Sequence, residues 1–182
     1  MTNYEENIKE DKAPSLKSID ICGFKTFVEP THIEFAQGLN VVLATTKYPV
    51  PSGMWDFFDA IRWALGAKQH HGSKILFDSS SNKDCAQVKL TIVDENEKET
   101  VITRKFSKDS GEELISDVSQ EELLHLQKHL LADGEKSLVF RSTEIVAVNS
   151  DKQIATQADG MIGITTDETG ISKAFALSGD GR

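Results

Sequence analysis

The stretch Gly38–Gly66, GLNVVLATTKYPVPSGMWDFFDAIRWALG, decides the fold of this chain. It opens with an apolar run, residues 39–44, of the length and composition typical of a buried strand. A proline-rich loop follows, and from Met54 onward apolar residues recur at helical spacing. Gly66 stands where a C-terminal helix cap is expected. The stretch therefore predicts a strand, a loop and a helix from Met54 to Leu65.

The loop has the position of a phosphate-binding loop but lacks its residues. That chemistry requires GxxxxGK[ST], in which the lysine neutralises phosphate charge and the hydroxyl binds magnesium. After Gly53 the chain instead has a methionine and a tryptophan. Lys47 is an alternative phosphate lysine, but Pro49 and Pro51 each remove a backbone N–H donor that could wrap a phosphate. We expect no tight nucleotide binding by the loop residues that remain, which are Thr45, Thr46, Lys47, Ser52 and Gly53.

The bulk composition is that of an ordinary globular domain. The chain has 182 residues, of which 38% are hydrophobic and 27% charged. No apolar run approaches the ~18 residues of a membrane span, and the polar first residues hold no secretion signal. We expect a cytoplasmic protein with a flexible tail at 1–15, one domain at 16–178 and a short tail at 179–182. Cys22 and Cys85 are expected to be reduced, packed thiols.

The net charge argues against nucleic acid as the main partner. The chain holds 29 acidic and 20 basic residues, a formal charge of −9, which opposes capture of a phosphate backbone. The loop after the long helix holds a local basic patch, which is either a nucleic-acid contact or a solvated loop: Lys68, His70, His71 and Lys74. An accessory factor that binds nucleic acid is the second functional hypothesis, with Lys17, Lys25, Arg62, Lys68, Lys74 and Lys83 as its contacts.

Alternating patterns predict strands on both sides of the loop. Residues 16–22 alternate imperfectly and 31–35 more cleanly, so with the buried strand they predict a meander that enters the core. Residues 86–94 and 100–106 flank a turn and predict a hairpin. A third strand is expected at Glu113 to Ser116.

The second half of the chain predicts one helix and several short strands. The sequence SQEELLHLQKHLL has a capping serine, a glutamate three positions later and a leucine stripe, which predict a capped helix over 119–131. His125 and His129 lie one turn apart on it, where a polar helix face is favoured over a metal site. Short strands are expected at 138–140, 144–148, 160–165 and 172–177, with a small helix at 151–158.

The residues around the loop resemble the start of the ATPase head of SMC proteins, relatives of Rad50 and the ABC ATPases. That head opens roughly as LKSIxIxGFKSF, IxF, GLxxIxGPNGSGKSN and IxDAIRWxLG. This chain matches it in order and nearly in spacing, through Leu16-Lys17-Ser18-Ile19, Gly23-Phe24-Lys25-Thr26-Phe27, Ile33-Glu34-Phe35, Gly38-Leu39 and Asp59-Ala60-Ile61-Arg62-Trp63-Ala64-Leu65-Gly66.

The C-terminal segment resembles the end of the same head. The family ends with a strand closing on Thr-His, a helix closing on Ala-Ala-Asp, and a segment like LYGVTMQEPGVSKLVSV. The matching residues are Val146 to Ser150, Gln157-Ala158-Asp159 and Met161 to Lys173. The resemblance thus divides the domain into an N-lobe-like part, 16–145, and a C-terminal head-like part, 146–178.

The resemblance implies an α/β fold with an ABC-ATPase-head-like mixed sheet, an antiparallel hairpin region and flanking helices. It also implies losses, because the coiled coil, the signature motif and the Walker B strand have no counterpart in this sequence. Arg141 stands near the position of the Q-loop glutamine, and Asn149-Ser150 replaces the Thr-His that senses γ-phosphate. The expected class is a miniature pseudo-ATPase head, with no cofactor, catalytic residue or metal ligand.

The leading hypothesis is therefore a head remnant that works by protein association. It would dock on an active SMC head or pair with itself. The other hypotheses are the nucleic-acid-binding accessory factor, a residual nucleotide-binding protein, and an interaction module unrelated to chromosomes, since fold does not fix function.

Overall fold

The computed structural model describes residues 14–45, 53–67, 75–76, 84–94, 96–128, 130–133, 137–140, 143–148 and 156–177. Many of the predicted site residues lie outside these ranges, namely Thr46, Lys47, Ser52, Lys68, His70, His71, Lys74, Lys83, His129, Arg141, Asn149 and Ser150. Both predicted tails also lie outside these ranges, except for Pro14 and Ser15, as do residues 151–155 of the predicted small helix. Residues 156 and 157 of that helix are described and form a turn.

Eleven strands and two helices make up the described residues. In chain order they are β1 (Ser15–Cys22), β2 (Thr31–Glu34), β3 (Gly38–Thr45), α1 (Met54–Ala64), β4 (Cys85–Val93), β5 (Glu99–Ser107), β6 (Gly111–Ser116), α2 (Gln120–Lys128), β7 (Leu130–Asp133), β8 (Ser137–Phe140), β9 (Thr143–Val148), β10 (Gly160–Thr166) and β11 (Ser172–Leu177). Neither helix is long and apolar enough to cross a membrane.

The strands form two sheets. The first is antiparallel, in the order β2-β1-β4-β5-β6, and contains the predicted hairpin as β4 and β5. The second is mixed, in the order β11-β10-β3-β9-β8-β7, with β3 parallel to both of its neighbours. Val41 and Val42 face opposite sides of β3 and are both fully buried, which explains the continuous apolar run. The predicted α/β, head-like fold class is confirmed.

The imperfect alternation of β1 comes from a bulge. Its pairing with β4 shifts register between Leu16 and Ser18, so that Lys17 is the extra residue and is exposed. The bulge allows Leu16 to be buried on the same strand as Ile19 and Ile21, although the spacing between them is odd.

Helix α1 joins the two sheets, since it contacts β3 as well as β4 and β5. Phe57, Phe58 and Ile61 are fully buried, as the predicted stripe requires. Trp63, which lies off that stripe, stacks on Phe24 with 5.1 Å between ring centroids. The predicted helix is therefore present, and Trp63 gives it a second packing surface against Phe24.

Three local predictions need correction. The predicted helix over 119–131 ends at Lys128, because residues 130–133 pair as a strand with β8 instead. The predicted meander is broken, since β2 pairs with β1 while β3 enters the other sheet. Cys22 and Cys85 are both free thiols, but Cys85 is exposed and not packed.

The predicted boundary between residues 145 and 146 falls within β9 and stays a prediction.

Candidate functional site at the start of helix α1

The start of α1 is the position at which a phosphate-binding loop would lead into its helix. Gly53 directly precedes the helix, and three hydroxyl side chains converge on it from other elements. Thr26 comes from the turn after β1, Thr166 ends β10, and Ser172 begins β11. The site is therefore built by both halves of the chain.

The amide at the start of α1 is bound by the protein itself. The Gly53 N–H donates to Thr166 Oγ1 at 3.1 Å, and that oxygen lies 2.9 Å from Ser172 Oγ. Thr166 is 6% exposed and Ser172 fully buried, so the pair is shielded from water. In a phosphate-binding loop such amides are directed at the ligand. Here an internal hydroxyl accepts this hydrogen bond.

Gly53 is required by close packing. A Cβ atom at this position would lie 2.1 Å from Ser172 Oγ and 3.1 Å from Thr26 Oγ1. The φ angle of Gly53 is −58°, which any residue adopts, so backbone freedom is not the reason for glycine. The space in front of this glycine is therefore filled by protein atoms.

Asp56 places a negative charge in the first turn of α1. Its Oδ2 accepts hydrogen bonds from the Thr26 hydroxyl at 2.7 Å and from the Thr26 amide at 3.3 Å. A carboxylate suits the positive end of a helix, where it stabilises the helix dipole. In a phosphate-binding loop that end attracts the nucleotide, so Asp56 competes with a phosphate for the same electrostatic position.

A chain of charges extends from Asp56 along the helix. Lys25 Nζ lies 2.6 Å from Asp59 Oδ2 and 3.5 Å from Asp56 Oδ1, and Arg62 Nη1 lies 3.6 Å from Asp59 Oδ1. All four side chains are at most 19% exposed. This network accounts for the charged positions shared by the GFKTF and DAIRW motifs, and its role is to hold the turn after β1 against α1.

Ion pairs within the protein count against the predicted nucleic-acid contacts at Lys17, Lys25 and Arg62. Lys25 and Arg62 neutralise carboxylates of α1 instead of facing solvent. Lys17 binds Glu99, and this hydrogen bond raises the pKa of the Lys17 amine. These three residues therefore do not form one basic surface.

The turn after β10 holds an acidic pair that the sequence motifs did not single out. Asp167 and Glu168 follow a strand parallel to β3, where a terminal Asp-Glu would resemble a Walker B motif. The Asp167 carboxylate instead accepts from the Thr169 hydroxyl at 2.6 Å and from the amides of Thr169 and Ile171. These hydrogen bonds, led by that of the hydroxyl, lower the pKa of Asp167. Its oxygens anchor the turn, and no part of the described chain groups residues suitably for a metal.

The Gln-Ala-Asp motif has a structural role at the base of β3. The Leu39 N–H donates to Asp159 Oδ2 at 2.8 Å, and the Asp159 N–H donates to the Leu39 carbonyl at 2.8 Å. Gly38 has φ +95°, and a Cβ there would lie 2.3 Å from Asp159 Oδ2. Asp159 thus ties the C-terminal segment to the strand that leads into the loop.

Sequence reasoning located this site but missed the residues that fill it. Of the predicted loop residues, Thr45 and Gly53 are described, as the end of β3 and the residue before α1. Ser172 carried a signal, because it matches the serine in the family segment. Thr166 carried none, since the family has methionine there and the contact spans 113 positions.

The central parallel strand β3, the buried helix α1 and the antiparallel side sheet are the elements expected of an SMC-head-like fold. The chain is 36% identical over 117 residues to the chromosome partition protein Smc of Desulfitobacterium hafniense, covering 56% of this chain and 9% of that protein. The chain thus spans under a tenth of this relative's length. No family model matches the sequence.

Two solved structures share the fold. The SMC head domain from Thermotoga maritima superposes with a TM-score of 0.65 at 15% identity, covering 90% of this chain and 99% of that one. An SMC head bound to the C-terminal winged-helix domain of ScpA gives 0.67 at 12% identity, with 91% and 98% covered. These similarities establish the head-like fold, and the sequence similarity establishes the relation to Smc.

Proposed function

We propose that this chain is a non-catalytic SMC-like head that works in the cytoplasm by protein association, with an SMC head or a second copy of itself as partner. The observation that carries the proposal is the contact between the Gly53 amide and the buried Thr166 hydroxyl. The position that would receive a phosphate is satisfied from within the protein.

The sequence at the start of α1 supports the same conclusion. A nucleotide site needs a lysine for the phosphates and a hydroxyl for magnesium, and Met54 and Trp55 provide neither. Met54 is 4% exposed and belongs to the hydrophobic core, so its side chain is used in packing. Asp56 adds a negative charge within one turn of the same end. The residues at 54 and 55 and the charge of Asp56 thus both oppose nucleotide binding.

The relatives support protein association as the remaining role. One structural neighbour is an SMC head solved in a complex with a winged-helix domain of ScpA. In this chain Phe175 lies on β11, the last strand of the mixed sheet, and is 42% exposed. Aromatic side chains are enriched in protein–protein interfaces, so this exposed ring is a candidate contact. We therefore include the exposed ring of Phe175 in the proposed association surface.

The test is a light-scattering and sizing experiment. The purified chain is measured alone, and then with a purified SMC protein from the same cell, with and without ATP. We expect a complex of defined mass, either with the SMC protein or as a homodimer. Phe175→Ser should weaken it, while Glu168→Gln, in an exposed turn, should leave it unchanged. A chain that stays monomeric and binds no SMC protein would count decisively against association.

A further inference from the structure

Strand β6 is the most open edge of the two sheets. Strand β2, at the other end of the first sheet, lies beside β11, and β7 packs against α2. Among the described elements, β6 has extensive contact only with β5. Its outer side therefore presents backbone N–H and C=O groups that another strand could pair with.

This edge carries exposed apolar side chains on both faces of the sheet. Leu114 lies opposite Arg104 and Ile115 opposite Thr103, so the two point to opposite faces. They are 39% and 46% exposed. Leu124, in the helix that follows three residues later, is 52% exposed. Of the four large apolar residues exposed in the described chain, three lie within this short segment.

The chain segment that contains β6 and α2 is acidic. Residues 109–127 contain six acidic residues and no lysine or arginine. Glu112 is paired with Arg104, and Glu122 with the amide of Ser119 at the start of α2. Glu113, Asp117 and Glu121 are exposed. Lys105 of β5 lies opposite Glu113 without a described ion pair, and the described contacts give Asp117 and Glu121 no basic partner. Acidic residues alone could serve to keep an edge from aggregating. That role does not explain the exposed leucine and isoleucine beside them.

We propose that β6 is a docking edge for an extended, basic segment of a partner protein, which adds to the first sheet as a sixth strand. On each face of β6 a glutamate is followed by an apolar residue, Glu112 before Leu114 and Glu113 before Ile115. The complementary strand carries two adjacent basic residues opposite the glutamates and two adjacent apolar residues opposite Leu114 and Ile115. The backbone pairing supplies affinity, and these four side chains supply register.

The acidic charge also discriminates between occupants. If β6 of a second copy of this chain were the added strand, its glutamates would lie opposite either the glutamates or the apolar residues of the first copy. Both arrangements are unfavourable. Nucleic acid is repelled by the same charge. The docking edge rests on the proposed function in one respect, that the chain binds a protein partner. Its test uses no SMC protein, so either proposal can fail without the other.

The experiment uses the full chain and two fluorescent peptides, Thr-Val-Val-Lys-Lys-Thr and its reverse, which suit antiparallel and parallel addition. We expect one of them to bind saturably and more weakly as salt is raised. The same peptides with glutamate in place of lysine should not bind. Glu113→Gln and Ile115→Thr, which keep the strand propensity of exposed positions, should each weaken binding roughly threefold, and together about tenfold.

Glu168→Gln, in the exposed turn after β10, is the matched control for Glu113→Gln and should leave peptide affinity unchanged. Hydrogen exchange gives a second readout that does not depend on the variants, since bound peptide should slow the amides of β6 and not those of β11. The proposal is overturned if the lysine and glutamate peptides bind alike or if the β6 variants bind the peptide normally. It is also overturned if the β6 substitutions instead cause a dimer of the chain to dissociate.

Discussion

The start of helix α1 and the rest of the helix differ in how far they match SMC heads. Along its length, Asp59, Arg62 and Trp63 match the family motif, and each packs or pairs with the turn after β1 or with its own helix. At its start, the residues that would bind a nucleotide are replaced, and Gly53 meets Thr166 and Ser172. The positions that match the family motif make contacts that stabilise the core, and the positions that differ from it lie at the start of the helix.

Removing the aromatic anchor of the retained region should have the largest effect. Trp63→Ala deletes a fully buried ring stacked on Phe24 and should cost about 3–5 kcal/mol of unfolding free energy, measured by urea denaturation. Trp63→Phe should cost much less, because it keeps most of the packing and removes an Nε1 group that has no acceptor in the described chain. Equal costs for the two variants would mean that the stack is not a structural anchor.

Breaking the charge network of the same region should have the next largest effect. Asp59→Asn removes the shared partner of Lys25 and Arg62 and should cost about 2–3 kcal/mol, since both cations are mostly buried. Asp20→Asn is the matched control, because Asp20 pairs with His32 and Lys89 at an exposed site and should cost at most about 1 kcal/mol. A neutral Asp59→Asn would show that the motif is retained for some other reason.

The replaced region can be tested by its packing. Gly53→Ala forces a methyl group against Ser172 and should destabilise the fold by about 1–3 kcal/mol. Ser172→Gly removes the obstructing atoms, so the double variant should recover part of that loss in a double-mutant cycle. Additive losses in the two variants would show that the space in front of Gly53 is not filled by Ser172.

The smallest effect is expected at the exposed turn after β10. Hydrogen bonds lower the pKa of Asp167, so its contribution to stability is complete at neutral pH and is lost as pH falls below about 4 towards its folded pKa. Asp167→Asn should therefore be slightly less stable than wild type at pH 7, and this difference should shrink in acid. Thermal melts at pH 7 and pH 3 measure the stability difference between wild type and Asp167→Asn. A difference that is larger at pH 3 would show that the pKa of Asp167 is not lowered in the folded protein.

The sequence determines some parts of this fold more strongly than others. The buried β3, helix α1 and the β4–β5 hairpin follow from local periodicity, because each buries a regular face. The strand β7 does not, because residues 130 and 131 continue a helical leucine pattern and only pairing with β8 makes them extended. The contact of Thr166 with Gly53 has no local signature, since it depends on β10 lying beside β3. Sequence thus located the site, and the sheet determined what fills it.

Titration of a fluorescent ATP analogue with magnesium into the purified chain shows whether the start of α1 binds a nucleotide. A head with an intact GK[ST] loop is measured beside it as a positive control. We expect no saturable binding up to about 1 mM nucleotide, because the α1 amide is already bound and the phosphate lysine is absent. Saturable, magnesium-dependent binding in the micromolar range would show that the chain is a nucleotide-binding head.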